Sequence, residues 1–134
     1  MPYITGTTDI NDLSVASIAT TSVDINDVGK ISSSISTSTS LDAKVLVSLS
    51  TDTYRSANYQ IQAEQGSNFN ITTINVVHNQ SNVYLSEYGT INEPTGIATY
   101  NVDINSGCLR LIGYASSTAS TTYRVIYTAT EAKR

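Results

Sequence analysis

Tryptophan is absent from this 134-residue chain, and cysteine, histidine, phenylalanine and methionine occur once each. A lone cysteine, Cys108, excludes an intrachain disulfide and any cysteine-rich zinc module. Charge is equally scarce. Asp, Glu, Lys and Arg make up 13% of the residues, about half the ordinary share. Seven basic residues stand against eleven acidic ones, for a net charge of −4, and Lys30, Lys44, Arg55, Arg110 and Arg124 are scattered along the chain. Nothing forms the basic stripe that a phosphate backbone requires, so nucleic acid is not an expected partner. No apolar run is long enough to span a membrane, and Met1-Pro2-Tyr3-Ile4-Thr5-Gly6 carries no basic region ahead of an apolar stretch. Neither a membrane partner nor an export signal is expected, and synthesis in the cytoplasm is.

What the chain has instead is neutral polarity: 19 Ser, 19 Thr and 11 Asn, with nine Tyr among the apolar residues. Its length suits one core. Two textures divide it. Residues 1–40 are short of large apolar side chains and close to low complexity between Ile31 and Ser40, which reads as an extended N-terminal arm. Tyr3, Ile4, Ile10, Leu13, Val15, Ile18, Val23, Ile25 and Val28 punctuate this arm; they are its candidate interface residues, spaced so that short extended pieces can add to a sheet or to a neighbouring subunit. Asp9-Ile10-Asn11-Asp12-Leu13 recurs as Asp24-Ile25-Asn26-Asp27-Val28. An EF-type calcium loop fails on this repeat, because the fifth position from Asp24 is Val28 and the twelfth is Ile35. Two equivalent Asp-stabilised turns are the simpler reading.

From Leu41 to Arg134 the pattern is β. Val45, Val47 and Leu49 alternate with polar residues, as do Tyr59, Ile61 and Ala63. Further strands are predicted over 69–78, 83–91, 97–104, 108–114 and 121–129, with a three-residue hairpin connection at Asn105-Ser106-Gly107. Seven strands, each pairing with the next, describe an all-β antiparallel meander that forms a β-sandwich or partly closed barrel. No helix is required.

Chemistry has little to start from. The one histidine, His78, ends a hydrophobic strand beside Val76 and Ile74 and reads as structural. Cys108 follows a hairpin glycine and reads as a packing residue. A depolymerase would have to draw its carboxylates from Glu87, Glu93 and Asp103, whose convergence spacing does not establish. No phosphate loop or metal motif occurs, so no cofactor, no metal and no enzymatic activity are expected. Asn70-Ile71-Thr72 and Asn79-Gln80-Ser81 match the glycosylation pattern by chance in so Asn- and Thr-rich a chain. The tyrosines read mainly as half-buried sheet residues, with subunit or sugar contacts as the alternatives.

Three segments in order, Tyr54-Arg55-Ser56-Ala57-Asn58-Tyr59-Gln60-Ile61-Gln62, Val83-Tyr84-Leu85-Ser86-Glu87-Tyr88-Gly89-Thr90 and Tyr100-Asn101-Val102-Asp103-Ile104-Asn105-Ser106-Gly107-Cys108-Leu109-Arg110-Leu111, resemble a small all-β module of virion structural proteins of tailed bacteriophages, especially those of marine cyanobacteria. The resemblance spans about Thr53 to Thr130 and departs in the hairpin, usually richer in glycine than Asn105-Ser106-Gly107. It implies a non-enzymatic building block of the virion with no catalytic residues to carry over. With the arm, the expected role is a capsid decoration (cement) protein, a homotrimer bound to the major capsid protein. The alternative is a tail fibre, baseplate or neck appendage involved in host attachment.

Overall fold

A computed structural model describes Asp12 and residues 14–133. Among them nine strands form two antiparallel sheets: β1 (Ser22–Ile25), β2 (Gly29–Ser38), β3 (Lys44–Ser50), β4 (Tyr54–Gln65), β5 (Asn68–His78), β6 (Val83–Glu93), β7 (Ala98–Asn105), β8 (Cys108–Ala115) and β9 (Thr121–Glu131). Six make one sheet in the order β1-β2-β9-β4-β5-β6, and three make the other as β3-β8-β7. The all-β antiparallel expectation holds, and the sheets form an open sandwich with no closed barrel.

Next-neighbour pairing is only part of the topology. β1–β2, β4–β5, β5–β6 and β7–β8 are sequential hairpins, whereas β9 inserts between β2 and β4, and β3 crosses to pair with β8. The hairpin after β7 is also tighter than predicted. Asn105 pairs with Cys108, leaving only Ser106 and Gly107, both at positive φ (52° and 75°), in the turn. Two left-handed central residues match the twist of the flanking strands, and glycine takes the second without a Cβ penalty.

The core lies between the sheets. Tyr59, Ile61, Ala63, Ile74, Val76, Tyr123 and Val125 face Leu46, Val47, Leu49, Val102, Leu109 and Leu111, all buried. These are the alternate residues of each strand, as the two-residue period of a pleated strand demands, except for adjacent Leu46 and Val47, both buried at the register shift in β3. Three strands cannot roof six, so the wider sheet overhangs at both sides. On β6 even the inward-facing Leu85 is exposed.

Residues 22–38, inside the stretch read as an arm, belong to the wider sheet. β2 pairs with β9 along its whole length, Gly29 opposite Thr130 to Ser38 opposite Thr121. Its orientation reverses the usual rule. Ser32, Ser34, Ser36 and Ser38 point inward and are half-buried, while Ile31 and Ile35 point outward into solvent. The inward hydroxyls are accommodated because β2 lies beside β3, where Ser34 donates to the Leu46 carbonyl at 2.7 Å. Asp24 and Ile25 end β1, and Asn26 to Val28 make the β1–β2 turn, closed by the Val28 N–H on the Ile25 carbonyl at 3.0 Å with Asp27 at φ 63°. The second copy of the repeat thus sits at a turn, but the bond that closes it is between backbone groups rather than from an Asp side chain; the first copy, apart from Asp12, lies outside the described residues.

Candidate functional site

Among the described residues, His78, Cys108, Glu87, Glu93 and Asp103 occupy separate settings. His78 is buried, with both ring nitrogens engaged: Nε2 lies 2.7 Å from the Tyr54 carbonyl, and Nδ1 accepts the Gln80 N–H at 3.1 Å. Those partners define a neutral ring that donates from Nε2 and ties β5 to the start of β4. Cys108 is a half-buried free thiol at the start of β8. The three candidate carboxylates point in different directions. Glu87 faces inward from β6, Glu93 lies on the outer side of the same strand, and Asp103 is on the other sheet. Asp103 is committed to Arg110 by a bidentate pair, 2.8 Å to Nε and 2.6 Å to Nη2. Hydrogen bonding to that guanidinium holds the Asp103 carboxyl below the usual range, against a smaller opposing effect of burial. Among the described residues no group of three or more His, Cys, Asp and Glu side chains is placed to hold a metal ion.

Two surfaces remain. The first is a polar cleft of about 360 Å³ where β5 and β6 overhang the narrow sheet, lined by Asn70, Glu87, Thr90, Asn92, Tyr100 and Tyr114 among others. Its walls are pre-set by hydrogen bonds. Tyr100 Oη donates to Asn70 Oδ1 at 2.9 Å, and Asn70 Nδ2 donates to Asn92 Oδ1. Thr72 Oγ1 donates to Glu87 Oε2 at 2.9 Å and lies 2.7 Å from Thr90 Oγ1. Burial, followed by Tyr123 and Glu87, pushes the Tyr100 hydroxyl well above its ordinary pKa, so it stays a neutral donor. Glu87 is the one carboxylate in this lining. The cleft therefore offers amide, hydroxyl and carboxylate contacts beside two aromatic rings without a facing acid and base. Asn70, half of the first glycosylation pattern, is buried here and engaged.

The second surface is the outer face of the six-stranded sheet. The registers place Val23, Ile25, Ile31, Ile35 and Ile126 on its β1–β2–β9 half, and Phe69, Ile71, Val77, Tyr84, Tyr88 and Ile91 on its β5–β6 half. All eleven are exposed, from 43% for Ile71 and Val77 to 65% for Ile35, so this face carries most of the exposed large apolar side chains among the described residues. Two apolar halves on one face of a folded monomer mark an interaction surface. Between the halves runs a polar stripe on β4, Ser56, Asn58, Gln60, Gln62 and Glu64. Asn58 extends it by donating to Asn75.

Of the interface residues expected in the arm, Val23 and Ile25 land on this face opposite Ile31 and Gly29, and Val28 closes the turn. Val15 and Ile18 are exposed ahead of β1. Tyr3, Ile4, Ile10 and Leu13 lie outside the described residues. The larger part of the surface, on β5, β6 and β9, was not singled out from the sequence. The signal was present: Val76-Val77 and Val125-Ile126 are apolar at both parities, and a strand apolar on both sides in a two-layer fold has one side left to cover.

No family model matches the chain, and no curated protein does. Among solved structures it is similar to the tailspike protein of Acinetobacter phage vB_ApiP_P1, at 15% identity and a TM-score of 0.48 over 92% of this chain and 25% of that one. It is also similar to the tailspike protein of Acinetobacter baumannii phage AM24, at 10% identity and a TM-score of 0.37 over 74% of this chain and 26% of that one. The chain thus spans about a quarter of the length of either tailspike.

Proposed function

We propose that the chain is a non-catalytic building block of a tailed-phage particle, a tail-appendage module that takes part in host attachment. The observation that carries the assembly role is the outer face of the six-stranded sheet: eleven large apolar side chains exposed on one side of a molecule whose core is already closed. The three-segment sequence resemblance supplies the particle. Quantitative mass spectrometry of purified virions, with labelled images of the particle, tests the placement. Copy number matching the tail supports the appendage. Copy number matching the major capsid protein would instead favour a capsid decoration protein, and absence from particles would overturn the virion role.

The polar cleft favours a second, compatible reading, in which the attachment contact is to a hydroxyl-rich surface glycan. Asn70, Asn92, Glu87 and Tyr100 present fixed polar groups, and Tyr100 and Tyr114 supply rings for the apolar side of a sugar. Titration with host polysaccharide fragments should show binding that Asn92→Ala abolishes. Equal binding by wild type and variant would remove the cleft from consideration.

A further inference from the structure

We infer that the outer face of the six-stranded sheet pairs with the same face of a second copy of this chain, about a two-fold axis running along β4. The inference rests on the assembly role proposed above and names the partner. Its first support is extent. Five strands, β2, β9, β4, β5 and β6, are 10 to 12 residues long, so at roughly 4.8 Å between strands and 3.3 Å per residue the face measures on the order of 850 Å². A stable protein pair buries about 800 Å² on each partner.

The second support is layout. Across the strands the face reads apolar, amide, apolar: Ile31, Ile35 and Ile126 on one side, the β4 stripe of Asn58, Gln60 and Gln62 in the middle, and Ile71, Tyr88 and Ile91 on the other. A rotation about β4 lays each apolar half on the opposite half of the partner and the amides of Asn58, Gln60 and Gln62 on their own counterparts, with Glu64, held by Gln62 Nε2 at 2.8 Å, at the end of the stripe. Primary amides both donate and accept, so a stripe of them is complementary to itself. The concavity of about 360 Å³ lined by Gln60, Gln62, Ile71, Thr73, Arg124 and Ile126 then falls near the axis, a mainly apolar space whose amides can hold bridging waters. Charge follows the same symmetry. Arg124 stands in the β9 half and Glu93 in the β6 half, so the rotation brings the cation of each copy to the side of the face that holds the other's acid.

The third support is the reversed β2. A strand whose isoleucines point out and whose serines point in has its register set against the hydrophobic rule of the single chain. Pairing the faces returns Ile31 and Ile35 to an apolar setting. Edge-to-edge growth of the sheet at β6 is the poorer alternative, because the ladder is broken between Ile71 and Thr73 with Gly89 at φ 68°, a bulge that spoils a straight edge.

Sedimentation of the full chain should show a dimer, and Ile126→Glu should weaken its association by about 100-fold, as burial of a charge in an interface core does, with a far-ultraviolet spectrum unchanged from wild type. In a Cys108→Ser background, Gln60→Cys should cross-link to its own copy under a short bis-maleimide, while Val45→Cys, on the narrow sheet, should not. A chain that stays monomeric, that forms a trimer, or that dimerises without Gln60→Cys cross-linking overturns the inference. Mass spectrometry of virions is independent of all three results, so loss of the pairing and loss of the virion role are distinguishable.

Discussion

The two sheets turn very different faces to solvent. On the narrow sheet Ser48, Ser50, Thr99 and Asn101 point out around the Asp103–Arg110 ion pair, and of its larger apolar residues Val45 is exposed while Ile112 is buried. On the wide sheet the outward positions hold six isoleucines, two valines, a phenylalanine and two tyrosines around a stripe of amides. Both have strands of ordinary length and alternation. The difference lies in what the outward parity carries, and it separates a face made for water from one made for a partner.

Substitutions sharpen that contrast most strongly when matched between the faces. Leu111→Ala, in the shared core, should lower unfolding free energy by about 3 kcal/mol, because the cavity it leaves is lined on all sides. Ile126→Ala, at dilutions where the chain is monomeric, should change it by less than about 0.5 kcal/mol. Urea titrations of both variants check the pair, and comparable losses would mean the wide face is not a free surface.

Gly29→Ala should come next. A Cβ there would sit 2.0 Å from the Ala129 carbonyl oxygen, which is backbone and cannot step aside. A cost of roughly 2 kcal/mol is expected, read as faster hydrogen exchange along β2 with β4 and β5 still protected. Uniform loss of protection would show instead that β2 is inseparable from the core.

Tyr59→Phe probes the buried side of the wide sheet. The Tyr59 hydroxyl has no hydrogen-bond partner, so its removal should leave stability unchanged or raise it by up to about 1 kcal/mol. Burial, with Tyr127 adding, pushes its pKa up, and burial does the same to Tyr100 and Tyr123. The folded values exceed those of the unfolded chain, so the unfolded chain loses protons first and stability falls as pH rises above about 10. Melting temperatures between pH 8 and pH 11 should decline less steeply in Tyr59→Phe than in wild type.

The smallest effect belongs to the narrow face. Asp103 has a depressed folded pKa, so its contribution is present above the unfolded carboxylate value of about 3.9 and is lost as pH falls through the folded value. The pair is partly exposed and solvent-screened, so Asp103→Asn should cost little at pH 7, and the gap from wild type should close in acid. A gap that persists below pH 2 would point to packing rather than charge.

Much of the fold was legible in advance. Val45, Val47 and Leu49, the run from Phe69 to His78 and the last strand from Thr121 are strands where alternation put them. His78 took the structural setting read from its place at the end of a strand, and Cys108 is half-buried at the start of β8. The cleft was less legible, because Asn70, Glu87, Asn92 and Tyr100 come from three strands on two sheets and nothing in their spacing reports that the strands meet. The wide face was partly legible, through doublets such as Val76-Val77, but β2 was hidden by its serines.

Composition and periodicity by themselves determined that this chain folds as antiparallel strands and where the strands after Leu41 lie, because side-chain alternation is a local property of each strand. Only the tertiary structure decided which strands share a sheet, that the Ser-rich segment from Gly29 to Ser38 joins it with its isoleucines outward, and that eleven apolar residues collect on one face. Neighbours across a sheet are chosen by long-range pairing and by which side three strands can cover, and neither is written into any one strand.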